Sequence, residues 1–376
     1  MKCRKNFFHG LRNESYKGYK LTDIPNLSHL EIPTKILEFT DIHWGCKNNS
    51  VQHNQDNLDY IDWVITIAKK EKPSHIAFLG DWFENRSAIN ILTLQYSYKG
   101  LKKLNELGIP VLFIIGNHDL YQRNTRDIHA ADIFQELENF TVIDQPCSLG
   151  KDFLLLPFLF KSEYETIAPL FNSFKYVLGH LEFKNFYASG NNKLEHGPDH
   201  KLFNAPKYIF SGHYHQRQIT DNVIYIGNTF PTNFGDAGDQ ERGACIFDVT
   251  SEKVSFENWP ECPHYVKTNL SSVISGNWQP APKTRVRCIL DIDISYLEAQ
   301  TLRDEFIKTF NLREFTIEES SEKQNALEGT LDEEMENDID NLNLGSVDEM
   351  VISLLGTIED MNSIDPKKLI EIYRSL

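Results

Sequence analysis

The sequence predicts an α/β layered domain, on three observations. Short apolar runs rich in Ile, Val, Leu and Phe punctuate the first half of the chain, which is the composition of strands buried on both faces. Helical patterns with one apolar face lie between them. Every run ends in a cluster of polar residues, and in alternating strand–helix sheets ligands collect at the carboxyl ends of the strands.

Taken in order, KILEF (35–39) runs into Thr40-Asp41-Ile42-His43, and HIAFL (75–79) into Gly80-Asp81-Trp82-Phe83-Glu84. PVLFII (110–115) runs into Gly116-Asn117-His118-Asp119, KYVL (175–178) into Gly179-His180, and YIF (208–210) into Ser211-Gly212-His213-Tyr214-His215. Within 56–70, Leu58, Ile61, Val64, Ile65 and Ala68 recur at three- and four-residue steps and predict a helix. Further helices are expected at 88–107 and 129–138. A strand at 223–226 precedes a Gly/Asn/Asp-rich loop, 227–243, and a strand at 244–249; a loop of that length is usually functional or disordered. A strand at 284–294, a helix at 296–310 and a strand at 313–318 make a small β-α-β unit, from about 265 to 318, that reads as a second domain. Residues 319–346 are acidic and poorly periodic, which suits a solvated linker. In 347–376, Val347, Met350, Val351, Leu354 and Leu355 form one apolar stripe; Ile364, Leu369, Ile370 and Ile372 partly form another. Pro366 after Asp365 suits a helix start. Two short amphipathic helices after a linker suggest docking on a partner, with folding back on the body as the alternative.

Composition narrows the class. Apolar residues at 40% and aromatics at 12% are those of a globular chain. No apolar run nears the roughly 18 residues of a membrane span, and the N-terminus lacks the apolar stretch of a secretory signal. The net charge of −16 is uneven: 314–349 holds 13 acidic residues and one basic, whereas 1–36 holds seven basic and three acidic. A nucleic-acid partner is therefore not excluded by charge, although no global basic patch argues for one. Cys3, Cys46, Cys147, Cys245, Cys262 and Cys288 are scattered without a CxxC pair, so reduced thiols are expected rather than a zinc site.

The polar clusters share one chemistry. Asp41, His43, Asp81, Asn117, His180, His213 and His215 are ligand types for two divalent cations of borderline hardness, such as manganese, iron or zinc. Asp41 and His43 are two apart, as are His213 and His215; in an extended chain each pair would face one metal centre. The Asp81 carboxylate can bridge, and Asn117 offers a neutral oxygen. One such motif is weak, but five in order, each closing a predicted strand, are specific. The other histidines (His9, His29, His53, His75, His129, His196, His200, His264) are expected to be ordinary core or surface residues.

The order DxH, GDxxE, GNHD, GH, GHxH, over about residues 36–250, resembles the calcineurin-like metallophosphoesterases. The intervals and later segments are similar to one branch, the SbcD-type DNA repair nucleases, and within it to the recombination endonuclease subunits of tailed phages. IGNTFPTNFGDAGDQERGACIFD resembles that branch's stretch after the last metal motif. The resemblance implies a layered metallophosphoesterase sandwich with this organisation: a basic extension (1–35), a nuclease domain (36–260), a small α+β DNA-capping domain (265–318), an acidic linker (319–346), and helices (347–376) that grip an SbcC-type ATPase. It implies that Asp41, His43 and His215 bind a first metal, Asn117, His180 and His213 a second, and that Asp81 bridges. His118 would be the general acid, oriented by Glu84, which stands where the branch usually has Asp. Manganese is the expected metal, with iron, magnesium or zinc as alternatives. Homodimerisation through 88–107 and 129–138 is implied as well. The extension before Lys35 departs from the family and is either disordered or a DNA or partner contact.

A phosphodiester resists hydroxide through its charge; two cations about 3.5–4 Å apart offset that charge and acidify a water. His118 would then protonate the departing 3′-oxygen, leaving a 5′-phosphate. Lys47, Arg86, Arg123, Arg126, Arg217 and Arg242 lie near the motif loops and are the candidate phosphate contacts, which position DNA without reading its sequence. Phe183, Phe186 and Tyr187 read either as a wedge for a DNA end or as core. The expected function is exonuclease on duplex ends and single-strand endonuclease, as the nuclease subunit of an SbcCD-type complex in the cytoplasm (the host's, if phage-encoded). The alternatives are a phosphatase or small-molecule phosphodiesterase of the same superfamily, and a non-catalytic DNA-end tether.

Overall fold

The computed structural model describes residues 22, 24–190, 192–276 and 278–319. The chain divides into two units, 1–318 and 319–376; the expected linker beyond 319, the helices at 347–376 and the extension up to residue 21 lie outside the described residues.

Two six-stranded sheets form the centre. In the first, β1 (Lys35–Phe39), β2 (His75–Leu79), β3 (Val111–Ile114) and β4 (Phe140–Ile143) are parallel. The second contains β5 (Cys147–Leu149), β6 (Phe153–Leu156), β7 (Tyr176–His180), β10 (Tyr208–Gly212), β11 (Gln218–Thr220) and β12 (Val223–Tyr225), with β8 (Tyr187–Ser189) and β9 (Asn192–Lys193) forming a separate hairpin. Then β13 (Gly243–Asp248) returns antiparallel to β1, and β14 (Lys253–Asn258) completes the first sheet, ordered β14-β13-β1-β2-β3-β4. The second runs β11-β12-β10-β7-β6-β5.

The sheets pack face to face. Ile36, Leu79 and Ile114 of the first meet Phe153, Leu178 and Phe210 of the second in one apolar layer. The opposite face of the first sheet, with Leu37, Phe39, Phe78 and Phe113, lies in a core with Ile61 and Val64 of helix Val51–Glu71 and with Leu101 and Leu104 of helix Ile91–Asn105. The outer face of the second sheet, with Leu154, Val177 and Ile209, packs on Ile167 and Leu170 of helix Glu163–Phe171. Helices thus cover both outer faces, and the strands read as unbroken apolar runs because neither face meets water.

The mixed α/β fold agrees with expectation, with three local differences. The stretch expected to be a helix at 129–138 is a 3-10 turn, Ala130–Glu136, whose N-terminus has no side-chain cap. Residues 24–34, part of the expected extension, pack on the body: the Leu27 amide donates to the Ser148 carbonyl of β5, the Ser148 amide donates to the Pro25 carbonyl (2.8 Å each), and Ile24 is buried. The small C-terminal unit has a further strand, β15 (Tyr265–Asn269), and a short helix, Leu270–Ile274, ahead of β16 (Arg285–Leu290), helix Tyr296–Phe310 and β17 (Glu314–Glu319). Its sheet is ordered β15-β16-β17, over its own core of Leu270, Val273, Val286, Cys288, Leu312 and Phe315. The five described cysteines are free thiols. No helix among the described residues is long and apolar enough to cross a membrane.

Candidate metal centre

Five turns at the carboxyl ends of β1, β2, β3, β7 and β10 converge. The chain leaves these strands in left-handed backbone at Asp41 (φ 52°), His43 (φ 48°), Asp81 (φ 60°) and His213 (φ 88°). Asp and His tolerate this region better than most residues, yet each such position costs about 1–3 kcal/mol unless its surroundings hold it. The surroundings do hold it. Thr40 Oγ1 donates to Asp41 Oδ2 (2.6 Å), and the His213 amide donates to the same oxygen (3.1 Å). Gly116 and Gly212 allow the close approach: a Cβ on the first would collide with Asp81, and one on the second with Thr40.

Asp119 binds the turns together. One of its oxygens accepts from the amides of Asp81 (3.0 Å) and Gly116 (2.9 Å), the other from those of Trp82 (2.9 Å) and Phe83 (3.3 Å). This fully buried carboxylate replaces the hydrogen-bond partners that the turn amides lose on leaving the sheet.

The donor atoms gather in two clusters. In one, Nε2 of His43 lies 3.2 Å from Nε2 of His215 and 3.7 Å from Asp41 Oδ1, an oxygen that is buried without a hydrogen-bond partner. In the other, Asn117 Oδ1 is 3.0 Å from His180 Nε2 and 2.9 Å from His213 Nδ1. Asp81 Oδ2 sits between them, 3.3 Å from His180 Nε2 and 3.9 Å from His43 Nε2. An orphaned carboxylate oxygen and imidazole nitrogens aimed at one another suit a pair of cations. His180 Nδ1 donates to the carbonyl of Leu79 (2.7 Å), so the neutral ring has its lone pair on Nε2.

His213 and His215 do not share a centre as the two-residue spacing predicts. The left-handed turn at His213 abandons the extended alternation, so His213 joins Asp81 and His180 whereas His215 joins Asp41 and His43.

The family model described as calcineurin-like phosphoesterase matches residues 34–217, the stretch that carries all seven donors. The chain contains a calcineurin-like phosphoesterase domain. That family uses a dinuclear metal site, and candidate ligands for one are present. Over 241 residues, 61% of this chain and 70% of the relative, the sequence is 28% identical to Exonuclease subunit 1 of Enterobacteria phage T4. Two solved structures resemble it more weakly. A dimetal phosphatase from Danio rerio has a TM-score of 0.32 and 9% identity, over 57% of this chain and 92% of that one. A cold-active protein-tyrosine phosphatase of a psychrophilic Shewanella species has a TM-score of 0.28 and 16% identity, over 62% and 82%. At that similarity neither bears on substrate or partner.

Burial and neighbouring charges set the electrostatics of these side chains. Burial opposes charge on His180, but the Asp81 carboxylate beside it outweighs burial and raises the pKa to about 9. His43 moves the same way: burial is outweighed by Asp41 and Glu84. Burial would raise Asp81, and the charges on His180 and His118 hold it well below the carboxylate range. Burial, then the charge on His43, pushes His215 down to about 4. Protons on His43 and His180 thus stand where cations fit. Divalent metal must displace them, so its apparent affinity falls as pH drops and its binding releases protons. Net proton release is expected at pH 7, measured by titrating Mn²⁺ calorimetrically in buffers of different ionisation enthalpy; release of none would contradict this.

His118 is half-buried. Its amide donates to Asp81 Oδ1 (2.7 Å), and its ring Nδ1 lies 2.7 Å from the main-chain carbonyl of Glu84. The Glu84 carboxylate, expected to orient His118, instead reaches past it to within 2.8 Å of His43 Nδ1. The main chain of Glu84, not its side chain, therefore fixes the His118 ring.

Arg126, Arg217 and Arg242, three of the six basic candidates, have these partners. Arg126 holds Glu163 and the carbonyl of Phe158. Arg217 binds Asn258 (2.6 Å) and lies over the Phe256 ring. Arg242 is fully buried and donates to the His215 carbonyl, with Asp239 at 3.0 Å and Asp236 at 3.6 Å. Lys47 is exposed, 5.5 Å from the centre of the Tyr265 ring; Arg123 is exposed and Arg86 half-buried. Phe183 and Phe186 are buried core, and Tyr187 is exposed.

Arg242, Asp119 and His53 are the residues that sequence reasoning misplaced or passed over. His53 is buried with Nε2 3.3 Å from the His43 carbonyl, and burial holds its pKa down at about 4, so it props the turn as a neutral ring. Arg242 ties loop 227–243 to the chain at His215. Replacing it with Leu strands Asp236 and is expected to cost roughly 3–5 kcal/mol, read as a lower urea midpoint with m unchanged; a loss under 1 kcal/mol would refute its role as a buried tie.

Proposed function

We propose that this chain is a two-metal phosphodiesterase acting on DNA, an exonuclease on duplex ends and a single-strand endonuclease. In this reading it is a phage-encoded nuclease subunit that works in the host cytoplasm with an SbcC-type ATPase gripped by residues 347–376. The observation that carries the metal chemistry is the convergence of seven donor side chains on two clusters that share Asp81. The similarity to Exonuclease subunit 1 supports DNA as substrate and a second subunit as partner.

Asp41, His43 and His215 would hold one ion and Asn117, His180 and His213 the other, with Asp81 common to both. Manganese is the first candidate, then iron, magnesium or zinc. Bound there, the ions supply an acidified water and offset the charge of the phosphate. The remaining work falls to the protein. His118 keeps Nδ1 on the Glu84 carbonyl, so in its charged form the Nε2 proton is the one left to give to the departing oxygen. Lys47 and Arg123, whose side chains are exposed, and the half-buried Arg86 are candidates for phosphate contact. The dimer is supported by exposed Ile91, Leu94 and Tyr98, one stripe of helix Ile91–Asn105, and by exposed Ile128 and Ile133, just before and within the segment 129–138.

The test is a Mn²⁺-dependent assay on end-labelled duplex and on circular single strands, with and without the co-expressed ATPase, beside p-nitrophenyl phosphate. Cleavage of both DNAs is expected. Hydrolysis of the small phosphate alone would favour the phosphatase alternative, and DNA binding without any hydrolysis the end tether.

A further inference from the structure

Two glutamates approach the metal centre from different sheets. Glu84 follows β2 in the first sheet and Glu182 follows β7 in the second. The Glu84 carboxylate is 2.8 Å from His43 Nδ1, an ion pair by distance rather than an aligned hydrogen bond. The Glu182 carboxylate is 3.5 Å from His213 Nε2, and its other oxygen faces the exposed His196. Each carboxylate thus meets the ring nitrogen that points away from the donor cluster. His43 presents Nε2 to His215, and His213 presents Nδ1 to Asn117. A carboxylate at one ring nitrogen keeps the proton there and leaves the other its lone pair.

The main chain carries both glutamates on fixed supports. The Glu84 amide donates to the Trp44 carbonyl (3.0 Å), and the Glu182 amide accepts no freedom either, donating to the Tyr164 hydroxyl (2.7 Å). Charge points the same way. Two divalent cations carry four positive charges; Asp41 and Asp81 offset two, and Glu84 and Glu182 supply the balance from just outside the ligand set.

We propose that Glu84 and Glu182 are positioning residues, one for each metal ion, that fix the rings of His43 and His213 and complete the charge balance. This rests on the two-metal reading above. It gives a consequence to the Glu at position 84: the longer side chain serves a metal-ligand histidine rather than His118.

The experiment is Mn²⁺ binding, followed by calorimetry and by electron paramagnetic resonance, on the full chain and on Glu84→Gln, Glu182→Gln and the double variant. Gln keeps the shape and removes the charge. Wild type should bind two ions with a coupled dinuclear signal. Each single variant should lose 10–100-fold in affinity for one ion, replacing the coupled signal by a mononuclear one at the same Mn²⁺ concentration, and the double variant should lose both. Unfolding temperatures in chelator should match wild type. The proposal is overturned if a single variant binds both ions like wild type. It is equally overturned if the double variant still keeps one ion at full affinity, or if a variant melts early in chelator with metal affinity unchanged. Wild type binding fewer than two ions would instead overturn the two-metal reading itself, and this proposal with it.

Discussion

Replacing His118 with Ala is expected to lower phosphodiester cleavage by roughly 10²–10⁴-fold while two metal ions stay bound. The separation of effects follows from the geometry. His118 reaches Asp81 through its main-chain amide, which the substitution keeps, and reaches the proposed reaction through its ring, which the substitution removes. Metal content by elemental analysis should therefore equal that of wild type, and DNA affinity should hold. A diester whose leaving group needs no proton, such as bis(p-nitrophenyl) phosphate, should lose far less activity than DNA. Equal losses on the two substrates would show that the ring does something other than protonate the departing oxygen.

Replacing Asp119 with Ala should have the largest effect on folding of any single change at the site. It strips four turn amides, at Asp81, Trp82, Phe83 and Gly116, of their shared acceptor. A buried amide left without a partner costs about 1–3 kcal/mol, less where water enters, so a total loss of roughly 3–5 kcal/mol is expected. The turn that aims Asp81 loosens at the same time, so Mn²⁺ affinity should fall together with the urea midpoint. Asn is no remedy, because its amide nitrogen would face two of the same N–H donors. A variant that keeps wild-type stability and metal affinity would show that water satisfies these amides and that the latch is dispensable.

The strands that carry the site are legible because they are apolar on both faces and stop at chemistry. HIAFL ends at Leu79 and VLFI at Ile114, each followed by a turn that carries a candidate metal donor. Helix Val51–Glu71 is legible for a related reason: Leu58, Ile61, Val64 and Ala68 bury one stripe under the first sheet. Less could be read where tertiary packing decides. β15 has the sequence YVKTN, in which only Tyr265 is buried, so it carries no apolar run. Two-residue spacing alone would pair His213 with His215; only the motif resemblance separates them as the folded turn does. Arg242 resembles a surface cation in sequence, and only the folded loop 227–243 surrounds it with Asp236, Asp239 and the His215 carbonyl. Asp119 stands inside a recognisable motif, yet its partners are amides, which a sequence does not display.

Anomalous diffraction from crystals grown with Mn²⁺, collected near the manganese edge, bears most directly on the centre described here. Two peaks about 3.5–4 Å apart are expected, with Asp81 between them, Asp41, His43 and His215 around one, and Asn117, His180 and His213 around the other. A single peak, or ions bound away from Asp81, would contradict it.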